Sequence, residues 1–193
     1  MPSSMVHLST AYSYDPNSPV EFWVGNLAPD CIDDWKERDK YHFRNEADKE
    51  QAFNDFAATI DINDSFFEGI LLHMFVDWKW GEDLKQQYIN CFTSGDSWFQ
   101  PYREEIGFLS ARLYHDTFWS DKVWNEMINS DIHKFNKTSN IHSEEFMKYL
   151  KQAKKYHVEN PLVEPRFYTV ESVTAFIDKT AEDYQQRKNT YCS

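Results

Sequence analysis

The sequence predicts an all-α protein, and three observations carry that prediction. Apolar residues recur at helical spacing through most of the 193 residues. Convincing runs of alternating polar and apolar residues bounded by turn signals are hard to find. Only five glycines and seven prolines are present, and neither a repeat of roughly 20 to 50 residues nor a low-complexity tract marks a linker. With 41% hydrophobic and 17% aromatic content, the chain can bury a sizeable core, so one domain of about six to eight helices is expected over residues 1–193.

Pro19 after Ser18 suits a helix start, and the short helix through Phe22 and Trp23 stops near Pro29, which leaves Asp30 on a loop. Asn45 with Asp48 resembles an N-cap for a helix through Phe53, Phe56 and Ile60. Ser65 with Glu68 has capping-box spacing and opens a central helix to about Trp80, with Gly81 breaking or bending it before Leu84–Phe92. Further helices are expected near Tyr102–Phe118, Asp121–Ile128, Glu144–Tyr156 and Val170–Arg187, the last capped by Thr169. The prolines of Asn160–Pro165 mark a loop.

A formal net charge of −12 repels phosphate backbones and anionic headgroups, which argues against nucleic-acid partners and stable membrane association. Met1–Thr10 has neither a basic region nor an apolar run of signal-peptide length, so a cytoplasmic location is expected. Cys31, Cys91 and Cys192 are odd in number and widely spaced, which predicts free thiols. The oligomeric state is not encoded in any surface stripe that can be isolated.

Chemistry enters at Ile70–Trp80, where apolar side chains surround the helix and so mark it as buried. His73 and Asp77, four apart, project from one face and can reach a common centre. An unpaired buried carboxylate costs several kcal/mol, a large share of the roughly 5 to 15 kcal/mol that holds a domain together. Asp77 therefore needs a partner: a divalent cation shared with His73, or an arginine such as Arg44 or Arg112. Imidazole with carboxylate suits Zn2+, with Mn2+ or Fe2+ as alternatives.

The order His7, then Gly25-Asn-Leu-Ala-Pro-Asp30, then His42-Phe-Arg44, then Leu72-His73-Met-Phe-Val-Asp77-Trp78 resembles the zinc-dependent phospholipase C family, related in fold to the S1/P1 nucleases. The likeness spans roughly the first eighty residues. It implies a helical bundle in which Asp30, His42, His73 and Asp77 hold one metal and His7 with Asp77 contributes to a second. The chain lacks the terminal tryptophan that secreted members use as a ligand. The family's further site of two histidines and a glutamate is not matched, since no histidine occurs between His73 and His115 and Trp119, not glutamate, stands four residues after His115. One or two ions, not three, are implied, and phospholipid cleavage is not.

The resulting expectation is a metal-dependent phosphoester or phosphodiester hydrolase acting on a small phosphate-containing substrate. Asp30 and Asp77 serve the centre, Arg44 clamps phosphate with its planar fork, and His115 is a possible substitute ligand. Two other readings are an HD-type phosphohydrolase built on His115 and Asp116, and a non-catalytic metal-binding helical module.

Overall fold

The helix that the sequence marks as buried on every side is the axis of the protein. The computed structural model describes residues 1–92, 97–131, 138 and 142–191, and among them it is all-helical. The helices are α1 (Ser4–Tyr14), α2 (Val20–Leu27), α3 (Trp35–Tyr41), α4 (Lys49–Ala57), α5 (Ser65–Glu82), α6 (Leu84–Ile89), α7 (Phe99–Asp116), α8 (Ser120–Asn129), α9 (Ser143–Glu159) and α10 (Val170–Tyr191), with a 3-10 turn at Ala28–Cys31. The described residues include no helix long and apolar enough to cross a membrane.

The central helix α5 starts where the Asp64 carboxylate accepts the Phe66 amide at 3.0 Å. It then buries everything from Gly69 to Trp78, and Met74, Phe75, Trp78 and Trp80 are core as their apolarity requires. Gly81 lies inside α5, and the break before α6 falls at Asp83. A single glycine costs a helix interior only about 1 kcal/mol, which the packing of this helix absorbs.

Helix α2 crosses α5 at backbone distance. A Cβ on Gly25 would lie 2.0 Å from the Phe66 carbonyl, and one on Gly69 would lie 2.3 Å from that of Phe22. Both positions require glycine for close approach. Helix α1 packs against α10, α2, α7 and α5, while α9 lies on α7 and α8. Trp80 closes the far end of the core against Tyr168 and Phe176. The Glu105 carboxylate accepts the Arg166 and Phe167 amides at 2.8 and 2.9 Å, fastening the loop before α10 to α7.

Several boundaries differ from the sequence expectation. Asp30 sits in the 3-10 turn and not on an open loop, because Pro29 fits the first positions of such a turn. Asp48 caps α4 directly by accepting the Gln51 amide at 2.9 Å, and α4 ends before Ile60. Helices α1 and α3 were not expected. Cys31 and Cys91 are free thiols, and Cys192 lies outside the described residues.

Candidate metal centre

His7 comes from α1, Asp30 from the 3-10 turn, His42 from the C-cap of α3, and His73 and Asp77 from consecutive turns of α5. The structure gathers these five residues into one buried cluster. His7 and His73 are fully buried, and their rings stack with centroids 3.9 Å apart and planes 7° apart. His42 lies edge-on to His73 and bonds closely to Asp77 through Nδ1. Its Nε2 is 3.6 Å from Asp30 Oδ1, while His7 Nε2 is 3.6 Å from Asp77 Oδ1. Two trios, His7 with Asp30 and His73, and His42 with His73 and Asp77, each bring a ligand atom from every member within 4.8 Å of the others.

The local fold explains these placements. The close α2–α5 crossing lets the Asn26 carbonyl accept a hydrogen bond from His73 Nδ1 at 2.8 Å, which fixes the tautomer and turns Nε2 toward the cluster. Ser3 caps α1 by accepting the Val6 amide, and the following turn carries His7 inward. Helix α3 ends with Phe43 at φ 50°, a left-handed residue, while the Arg44 amide donates to the Asp39 carbonyl at 3.4 Å. This is a Schellman ending in which a buried phenylalanine takes the position that glycine usually fills. The strain sits between His42 and Arg44, as expected where packing holds a functional side chain in place.

Burial disfavours the charged form of both α5 groups, with different outcomes. His73 is held well below the ordinary imidazole range by burial and by the neighbouring His7 and His42, so it is neutral. Burial pushes Asp77 upward, yet the bond from His42 and the nearness of His7 hold it well below the usual carboxylate range. A neutral imidazole beside an ionised carboxylate is the protonation state that a metal requires.

Counting partners shows what the cluster lacks. Both nitrogens of His7, Nε2 of His42, Oδ1 of Asp30 and Oδ1 of Asp77 are buried without a hydrogen-bond partner. An unpaired buried polar atom costs about 1–3 kcal/mol, and five in one place point to a missing common partner. A single hydrogen-bond donor meets one lone pair at a time, whereas one divalent cation takes lone pairs from several imidazoles and carboxylates together. The donor set therefore fits a metal. His73 belongs to both trios, with its Nε2 3.4 Å from His42 Nδ1, so the two trios describe one compact centre.

Arginine does not supply the partner for Asp77. Arg44 pairs with Asp39 at 3.0 Å and Arg112 with Asp116 at 3.1 Å. His115 stands on the exposed face at the end of α7 against Tyr114, outside both trios. Among the described residues His115 thus joins neither group of ligand atoms, and the HD pair, His115 and Asp116, is exposed. Arg44 does line a cavity of about 390 Å³ that also contains His42, Asp77, Lys49, Lys85 and Trp80. A second cavity of about 320 Å³ is lined by Asp30, Tyr149, Arg38 and Arg103, and Met1 forms part of both walls. Tyr102 donates to the Met1 carbonyl at 2.8 Å and accepts from Trp80 Nε1 at 2.9 Å.

Four contributors escaped the sequence reading. Asn26 acts through its backbone carbonyl, and Tyr149 donates to Asp30 Oδ2 at 3.3 Å from α9, more than a hundred residues away. The Tyr149 phenol is pushed far above its ordinary value by burial and by Asp30, so it remains a donor. Lys49 and Lys85 carried no sequence signal that singled them out. No family model, no curated protein and no solved structure matches the chain.

Proposed function

We propose that this protein is a metal-dependent hydrolase of phosphoesters. The observation that carries the reading is His7, a fully buried imidazole with both nitrogens unpartnered, facing the free oxygen of an ionised aspartate. The resemblance of the first eighty residues to the zinc-dependent phospholipase C family supports it, with His7, Asp30, His42, His73 and Asp77 in the ligand positions. Zn2+ is the first choice of metal, and Mn2+ or Fe2+ suit the same donors.

A divalent cation held there lowers the pKa of a water and neutralises charge developing on a phosphoryl oxygen. The protein's own groups do the rest. Asp77 stays ionised and Asn26 keeps His73 Nε2 directed inward. Tyr149 holds Asp30 Oδ2 and so directs Oδ1 at the cluster, where it would help to hold the cation, and the leaving oxygen would take its proton from solvent as the ester P–O bond breaks. Arg44, at the mouth beside His42, steers the phosphate with the part of its fork not committed to Asp39.

Elemental analysis of protein purified without chelators, followed by a panel of chromogenic phosphomonoesters and phosphodiesters, tests the reading. One or two bound ions per chain and turnover of at least one ester are expected. Asp77→Asn should lose both, whereas His115→Ala should keep both. Wild-type protein free of divalent metal would end the proposal.

A further inference from the structure

The cavity above His42 and Asp77 gathers positive charge on a chain whose acidic residues outnumber basic ones, 32 to 20. Arg44 follows α3, Lys49 opens α4 and Lys85 lies on α6, so three separate segments each deliver a cation to one cavity. Lys49 and Lys85 are half-buried. Neither has an ion-pair partner among the described residues, although carboxylates are in excess over the surface. The Lys49 ammonium reaches the end of α5, where a Cβ on Gly81 would stand 3.4 Å from Nζ. Lys85 lies over the ring of Trp98, 5.6 Å from its centroid. Burial, Lys49 and Arg44 all pull the Lys85 ammonium below its ordinary value, and Asp77 opposes them. Glu46 is the remaining carboxylate on this wall.

Lys49 and Lys85 face one cavity with no ion pair of their own among the described residues, so they repel one another, and an anion between them removes that cost. We propose that the cleft selects substrates carrying two phosphate groups. The scissile phosphate sits at the His42 and Asp77 end, and a second, uncleaved phosphate is held by Lys49 and Lys85. The first placement rests on the hydrolase reading, while the lysine subsite stands on its own residues. The same chemistry is presented by a soluble bisphosphate and by a bisphosphorylated lipid headgroup.

Titration calorimetry of the full chain with fructose 6-phosphate and fructose 1,6-bisphosphate compares ligands that differ by one phosphate. The bisphosphate should bind about tenfold tighter or more, as charge-assisted bonds from two lysines allow. Lys49→Gln with Lys85→Gln should erase that preference while leaving monophosphate affinity and metal content unchanged. Lys155→Gln, on the exposed face of α9, should leave the preference intact. Equal affinity for the two ligands, or a preference that survives the double substitution, overturns the inference. Metal-free protein that still shows the lysine-dependent preference would support this subsite and defeat the hydrolase reading instead. Sedimentation with phosphatidylcholine vesicles, with and without a bisphosphorylated inositol lipid, assigns the source. Lysine-dependent capture points to the headgroup, and its absence alongside the calorimetric preference points to a soluble ester.

Discussion

His157 shows what a buried histidine looks like when hydrogen bonding alone satisfies it. Its Nε2 meets Ser4 Oγ at 2.7 Å and its Nδ1 meets Ser110 Oγ at 2.8 Å, joining α9 to α1 and α7. Burial drives its pKa down to about 3. The unfolded chain therefore binds a proton below about pH 6.5 that the folded chain refuses, so stability rises with pH between 3 and 6.5 and falls on acidification. Between pH 6.5 and 5 the loss amounts to about 2 kcal/mol. Melting curves of His157→Gln should show lower stability at pH 7 but a flatter acid limb, and an unchanged slope would contradict this account. The contrast with His7, which has no such serines, is not visible in the sequence, where both are lone histidines among apolar neighbours. His7 was legible only through its order before Asp30, His42 and the His73–Asp77 pair, and His115 was the one expected ligand that the fold left outside.

Among elements, the α2–α5 crossing governs the cluster. Gly69→Ala would drive a methyl group against the Phe22 carbonyl and the Asn26 amide, 2.3 and 2.7 Å from its Cβ. Backbone cannot yield as a flexible side chain can, so a loss of about 3 kcal/mol or more is expected. The carbonyl of Asn26 would move with α2, so metal affinity should fall as well; chemical denaturation and a metal titration read the two effects. Intact affinity in a destabilised variant would show that His73 orients itself. The legible helices were those with a polar face or a clear cap, such as α8, α9 and α10. Helix α1 was missed because Ser4 to Ala11 are all buried, which erases periodicity, and because serine, threonine and valine are weak helix formers. Helix α3 was missed for the opposite reason, being short and almost wholly polar, held by the Asp34 cap on Lys36 and Glu37. Tertiary packing makes the first and local capping the second.

For the whole molecule, a cation in the cluster would tie together four segments that the chain separates by up to seventy residues. Binding to the folded state alone adds about 2.7 kcal/mol when free metal is a hundredfold above its dissociation constant. Treatment with a strong chelator should therefore lower the melting temperature by several degrees, and Zn2+ should restore it. A melting temperature indifferent to both would mean that folding and metal are uncoupled. The stacked rings of His7 and His73 add a kinetic consequence. Both rings are closed to solvent, and the cavities that reach Asp30 and Asp77 share Met1 as a wall. Residence time would then depend on how closely Met1 covers those two cavities, and a loosely coordinated ion could still be slow to escape.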